Sequence, residues 1–73
     1  MGKDLFDQMG EKWQSAGVAR TETGVFSGGV LSPKTMANLD SQGLGPEGRI
    51  SCGRKILYPV DNLISWMRGR AKN

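Results

Sequence analysis

Seventy-three residues, 37% of them hydrophobic, make one small domain near the size below which a core needs staples. The lone Cys52 excludes an internal disulfide and points to a reducing cytosol. The absence of histidine removes zinc sites and histidine-based catalysis. The net charge of +3 is unevenly placed: residues 1–41 hold four basic and five acidic side chains, residues 42–73 six and two. A basic C-terminal half suggests a polyanionic partner.

Leu5, Phe6, Met9 and Trp13 recur at helical spacing, with Asp4 and Asp7 early and Lys12 late, as the helix dipole favours. The pattern predicts an amphipathic helix over 3–14, docked on the domain or on a second copy, with Gly10 as its weak point. Residues 15–18 read as a linker. The expected organisation is therefore an extension over 1–17 and a domain over 18–73. Within 19–29, Thr21, Glu22, Val25 and Phe26 suggest a short helix stopped by Gly28-Gly29 and weakened by Thr23 and Gly24. Val30 and Leu31 then make an apolar turn. Helix, turn of three or four residues, and second helix is the order of a helix-turn-helix.

The second helix begins where Ser32 can cap it and Pro33 suits its first position, and it stops at Gly43. Met36 and Leu39 define its inner face. The opposite face carries Lys34, Asn38 and Ser41, flanked by Thr35 and Gln42, and these side chains hydrogen-bond phosphates and base edges. With Ser32 they are the candidate recognition residues. Residues 44–48 form a loop by composition.

Two short alternating runs around Gly53-Arg54-Lys55 predict a β-hairpin. A three-residue turn at 53–55 places Ile50, Cys52, Ile56 and Tyr58 on one face, and it is the preferred register. A two-residue turn at 53–54 splits that set. Either turn presents Arg54 and Lys55 at the tip, and these, with Arg49, are the candidate hairpin contacts. Pro59 ends the strand, and Val60, Leu63, Ile64 and Met67 predict a helix over 60–70, with Trp66 widening its apolar stripe. Arg68 and Arg70 at its end, and Arg20, are candidate auxiliary backbone contacts; the first two read equally well as a solvated helix end. The expected core is Leu31, Met36, Leu39, Ile50, Ile56, Tyr58, Leu63, Ile64, Trp66 and Met67, with Cys52 as a small buried apolar residue.

Other motifs are weak. Gly28 to Thr35 imitates a phosphate-binding loop, but Pro33 removes a backbone N–H that such a cradle needs. Gly45-Pro46-Glu47-Gly48 has the GxxG form of a KH loop, yet it carries a glutamate where a nucleic-acid backbone favours basic residues. Tyr58 and Trp66 sit in apolar-periodic stretches and belong to the core rather than to base stacking.

Gly28-Gly29-Val30-Leu31-Ser32-Pro33-Lys34-Thr35, Asn38-Leu39, Gly43, Gly45-Pro46, Gly53-Arg54-Lys55-Ile56, Tyr58-Pro59 and Leu63 to Trp66 resemble the excisionase and AlpA-type small helix-turn-helix proteins. Those proteins are relatives of the MerR DNA-binding domain. The resemblance spans roughly residues 18–70 and departs from the family pattern at Thr23 and Gly24. It implies an α+β fold, a small winged helix-turn-helix preceded here by an amphipathic helix. The helix from Pro33 would enter the major groove, and the 53–55 wing would touch the backbone or minor groove.

The expected function is sequence-specific double-stranded DNA binding, without catalysis, cofactor or metal. The protein would serve as a phage- or plasmid-type transcriptional regulator or as an excisionase. Its partners would be an integrase or recombinase, or RNA polymerase, and it would form a homo-oligomer on DNA. No apolar run reaches the length of a membrane span or signal-peptide core, so a cytoplasmic site in a bacterium, encoded there or by a phage, is expected, with no membrane partner. The alternative is a protein-interaction adaptor that uses the first helix and the basic half.

Overall fold

The computed structural model describes residues 4–71. Helix α1 (Leu5–Lys12) starts at Asp4, whose carboxylate accepts the Asp7 N–H at 2.8 Å and so caps it. The predicted start at Lys3 lies outside the described residues. Phe6, Met9 and Trp13 pack against the core, and the Trp13 ring meets Phe26 edge-on, 5.2 Å between centroids. Gly10 is where α1 approaches the last helix: a Cβ there would stand 2.7 Å from Ile64 Cδ1. The residue that weakens the helix lets it dock.

The segment expected as a linker leads instead into a strand, β1 (Gly17–Ala19), so the expected boundary at 17/18 falls inside an element. β1 pairs antiparallel with β3 (Lys55–Pro59), which also pairs antiparallel with β2 (Ile50–Cys52), giving a three-stranded sheet in the order β1-β3-β2. Val18 lies opposite Tyr58, and both are fully buried. A three-residue strand is too short for a period-2 signal. Only its pairing makes it visible.

The hairpin takes the two-residue turn. Cys52 pairs with Lys55 and Ile50 with Leu57, which corrects the preferred three-residue register. Gly53 has φ +63 at the first turn position, where a two-residue hairpin turn accepts glycine. Ile56, paired with Ser51, and Tyr58 therefore face the core, while Ile50 is 52% exposed and Cys52 is exposed. Neither belongs to the core. On the outer face Leu57 folds over Gly17, where a Cβ would come within 2.8 Å of its side chain.

After β1 a 3-10 turn (Arg20–Glu22) runs into α2 (Thr23–Phe26), a single turn rather than a full helix. Hydroxyls replace the missing turns. Thr23 Oγ1 donates to the Arg20 carbonyl at 2.8 Å. Ser27 Oγ donates to the Thr23 carbonyl at 2.7 Å and accepts the Leu31 N–H at 2.8 Å. The connection to α3 is residues 27–32, longer than the three or four residues expected, because α2 stops at Phe26.

Helix α3 (Pro33–Ser41) follows its sequence signals closely. Ser32 Oγ accepts the Thr35 N–H at 3.2 Å, and Pro33 holds the first position. At the other end Gly43, φ +75, donates to the Asp40 carbonyl and Leu44 to the Leu39 carbonyl, a Schellman cap. Helix α4 (Val60–Arg70) has the predicted span. Its first N–H donates to the Ala16 carbonyl at 2.9 Å, tying it to the residue before β1.

Val18, Phe26, Leu31, Met36, Tyr58, Val60, Leu63 and Met67 form the buried core, with Ile56, Ile64 and Trp66 packed against it. The fold is α+β, with four α-helices and one antiparallel sheet among the described residues. No helix among them is long and apolar enough to cross a membrane.

Candidate nucleic-acid interface

Met36 and Asp40, one turn apart on the inner face of α3, decide how this helix is held. Met36 fills the core, and Asp40 is the acidic group the core contains. Burying a carboxylate is costly unless it is paired and hydrogen-bonded. Asp40 Oδ2 accepts from the Arg20 guanidinium at 2.6 Å and from the Tyr58 hydroxyl at 2.5 Å, and Arg20 Nε donates to the same hydroxyl at 3.0 Å. The 3-10 turn, α3 and the central strand are thereby joined at one point. Burial first, then the hydrogen bond to Asp40, raises the Tyr58 hydroxyl above its ordinary range, so it stays a donor.

The second oxygen, Asp40 Oδ1, is buried without a hydrogen-bond partner among the described residues. Arg49 Nη1 stands 3.9 Å away. Gly45 presses on it: a Cβ at 45 would lie 1.9 Å from Oδ1. The loop after α3 closes over the carboxylate because residue 45 has no side chain.

With the inner face so held, the outer face of α3 presents Lys34, Thr35, Asn38, Ser41 and Gln42, all exposed. Three hydroxyls are engaged locally: Ser32 with the Thr35 N–H and hydroxyl, and Ser41 with the Asn38 carbonyl. Lys34, Asn38 and Gln42 make no side-chain hydrogen bond among the described residues. They are the groups this helix offers to a ligand.

Arg54 and Lys55 are exposed at the hairpin tip. Along β3 the tip lies three residues before Tyr58, about 10 Å at roughly 3.4 Å per strand residue. Besides Arg49 and Arg54, three arginines are engaged within the fold. Arg20, 24% exposed, is spent on Asp40 and Tyr58. Arg68 pairs with Asp4 and Asp7 of α1 and lies 5.1 Å over the Phe6 ring. Arg70 lies 4.8 Å over the Trp66 ring. The latter two sit where α4 meets α1, on elements other than α3 and the hairpin.

Of the Asp40–Tyr58–Arg20 cluster, the sequence offered Arg20 as a backbone contact and Tyr58 as a core residue, and it singled out neither Asp40 nor the joining of the three. A signal existed: Asp40 follows Met36 by four, which places a carboxylate on the apolar face of the helix. Comparison with known protein families, curated proteins and solved structures gives no match for this chain.

Proposed function

We propose that this protein is a small winged helix-turn-helix that binds double-stranded DNA, with α3 in the major groove and the hairpin tip on the phosphate backbone. The observation that carries the reading is the division of α3. Its inner face is fixed by Met36 and the buried Asp40, and its outer face offers Lys34, Asn38 and Gln42 with no other task. An asparagine amide can pair with both edge groups of adenine, and a lysine can contact guanine or phosphate. Arg54 and Lys55 neutralise phosphates, and Arg49, half-released from Asp40, adds a third basic group beside α3.

Arg20, Arg68 and Arg70 are assigned to the fold rather than to DNA, since each is already engaged. Such a protein acts as a phage- or plasmid-type regulator or excisionase in the cytoplasm, beside a recombinase or RNA polymerase. Titration of the full chain on random duplex DNA in rising salt tests the reading. Log affinity is expected to fall linearly with log salt, and absence of binding at low salt would remove it. Selection from a random duplex pool then yields the preferred site.

A further inference from the structure

Leu5, Val25 and Val30 are 68%, 75% and 77% exposed, and all three line one continuous groove. It consists of two adjoining depressions of about 680 and 360 Å³, which share Leu5, Met9, Ser27 and Val30. α1 forms one wall, α2 with the turn after it the other, and the end of α4 closes it with Trp66, Met67 and Arg70. Large apolar side chains left together in a concavity mark an interaction site rather than ordinary surface.

Its charged lining decides what fits. Among the described residues, Lys12 lines one depression and Arg70 the other, and no acidic side chain lines either. The acids of α1, Asp7 and Glu11, line a separate depression with Asp61 and Arg68 of α4. We propose that the groove docks an amphipathic helical segment of a partner protein whose apolar face is flanked by acidic residues. The eight residues of α1 give a wall about 12 Å long at 1.5 Å per residue, which suits two turns of such a helix. Anchors at i, i+3, i+4 and i+7 are the pattern that an apolar groove reads. Met9 and Met67 adapt to its side chains, and Arg70, held over Trp66, lines the depression beside which the acidic flank would lie.

A second copy of the chain is the poorer occupant. Two-fold pairing of this surface sets concave against concave and basic against basic. A lipid surface calls for a flat or convex apolar face instead. The groove is separate from the outer face of α3 and from the hairpin tip, so the inference stands independently of the DNA reading. It gives an adaptor role a defined face.

The test uses the full chain, isotope-labelled, and a synthetic helical peptide with leucine at i, i+3, i+4 and i+7 and glutamates at both ends. A twin peptide carries lysines in place of the glutamates. The glutamate peptide is expected to shift the methyl resonances of Leu5, Val25 and Val30 and the Trp66 indole N–H. Its affinity should exceed that of the twin by about ten-fold, a difference of roughly 1.4 kcal/mol. Val30→Glu is expected to weaken it by about ten-fold with the thermal midpoint unchanged, and Arg70→Glu to erase the preference between the twins. Val25→Glu repeats the first variant at a second exposed position should Val30→Glu perturb folding. Equal binding of the twins, or no groove shift with either, overturns the proposal. So does sedimentation showing self-association that Val30→Glu abolishes, or binding to phosphatidylglycerol vesicles in place of the peptide.

Discussion

The Tyr58 hydroxyl in the central strand donates to Asp40 on the inner face of α3 at 2.5 Å. The two residues are eighteen apart in sequence, and this bond sets the hairpin against the helix proposed to read DNA. Arg20 donates to both groups and supplies the positive charge that a buried carboxylate requires. The outward face of α3 is therefore aimed by a polar cluster as much as by Met36.

Removing either partner separates the contributions. Tyr58→Phe is expected to cost about 1–3 kcal/mol, since it withdraws one donor from a buried carboxylate. Asp40→Ala should cost more, on the order of 3–5 kcal/mol, because it leaves the Tyr58 hydroxyl without its acceptor and Arg20 without its counter-charge. Urea denaturation of the two variants checks the order, and Asp40→Ala as the milder change would contradict it.

The same bond predicts the alkaline limb of stability. Burial and Asp40 raise the Tyr58 hydroxyl above its ordinary 10.0, so it ionises later in the folded chain than in the unfolded one. Its contribution is present in full below that value and is lost as pH rises through the folded one. Ultraviolet titration reads this group directly, because Tyr58 is the sole tyrosine. Tyr58→Phe should flatten the limb of the stability curve that coincides with it.

Two glycines should respond to alanine with opposite sign. Gly45→Ala drives a methyl group to within 1.9 Å of Asp40 Oδ1, and the expected cost is about 1–3 kcal/mol. Gly69 lies in α4 with nothing within 4 Å of a Cβ, so Gly69→Ala should stabilise by up to about 1 kcal/mol. Thermal midpoints of the pair decide the matter, and a neutral Gly45→Ala would mean that the loop yields.

The hydrophobic core makes a graded prediction. Leu63→Ala removes a fully buried side chain and should cost about 2–5 kcal/mol, whereas Ile50→Ala, half-exposed on the outer face of β2, should cost well under that. Deleting residues 1–16 removes Phe6, Met9 and Trp13 from the core edge and the Ala16 carbonyl from the start of α4. The truncated chain is expected to lose its cooperative transition in calorimetry. A folded truncated chain would place the first helix outside the cooperative unit, as a device for assembly.

On DNA, Asn38→Ala should flatten preference at one base position, worth about 1–3 kcal/mol, with the salt slope nearly unchanged. Lys55→Ala should weaken all sequences alike and lower the slope by about 1. Affinities for a selected site and its single-base variants at several salt concentrations make the comparison. The reverse pattern would assign base reading to the hairpin.

Helices α3 and α4 were legible in the chain because their information is local. Ser32-Pro33 and Gly43 mark the ends of one, and the spacing of Val60, Leu63 and Met67 marks the buried face of the other. The outward set of Lys34, Asn38 and Ser41, flanked by Thr35 and Gln42, followed from the same geometry, whereas the local engagement of the Thr35 and Ser41 hydroxyls did not. β1, the hairpin register and the Asp40 cluster depend on partners distant in sequence. Val18 is a strand residue because Tyr58 lies opposite it, and Ile50 faces outward because Gly53 makes the turn one residue shorter. Strand pairing has a period of two, so a one-residue difference in the turn exchanges the faces of the strand. A helix carries its hydrogen-bond partners four residues away; a strand and a buried carboxylate find theirs only when the chain has folded.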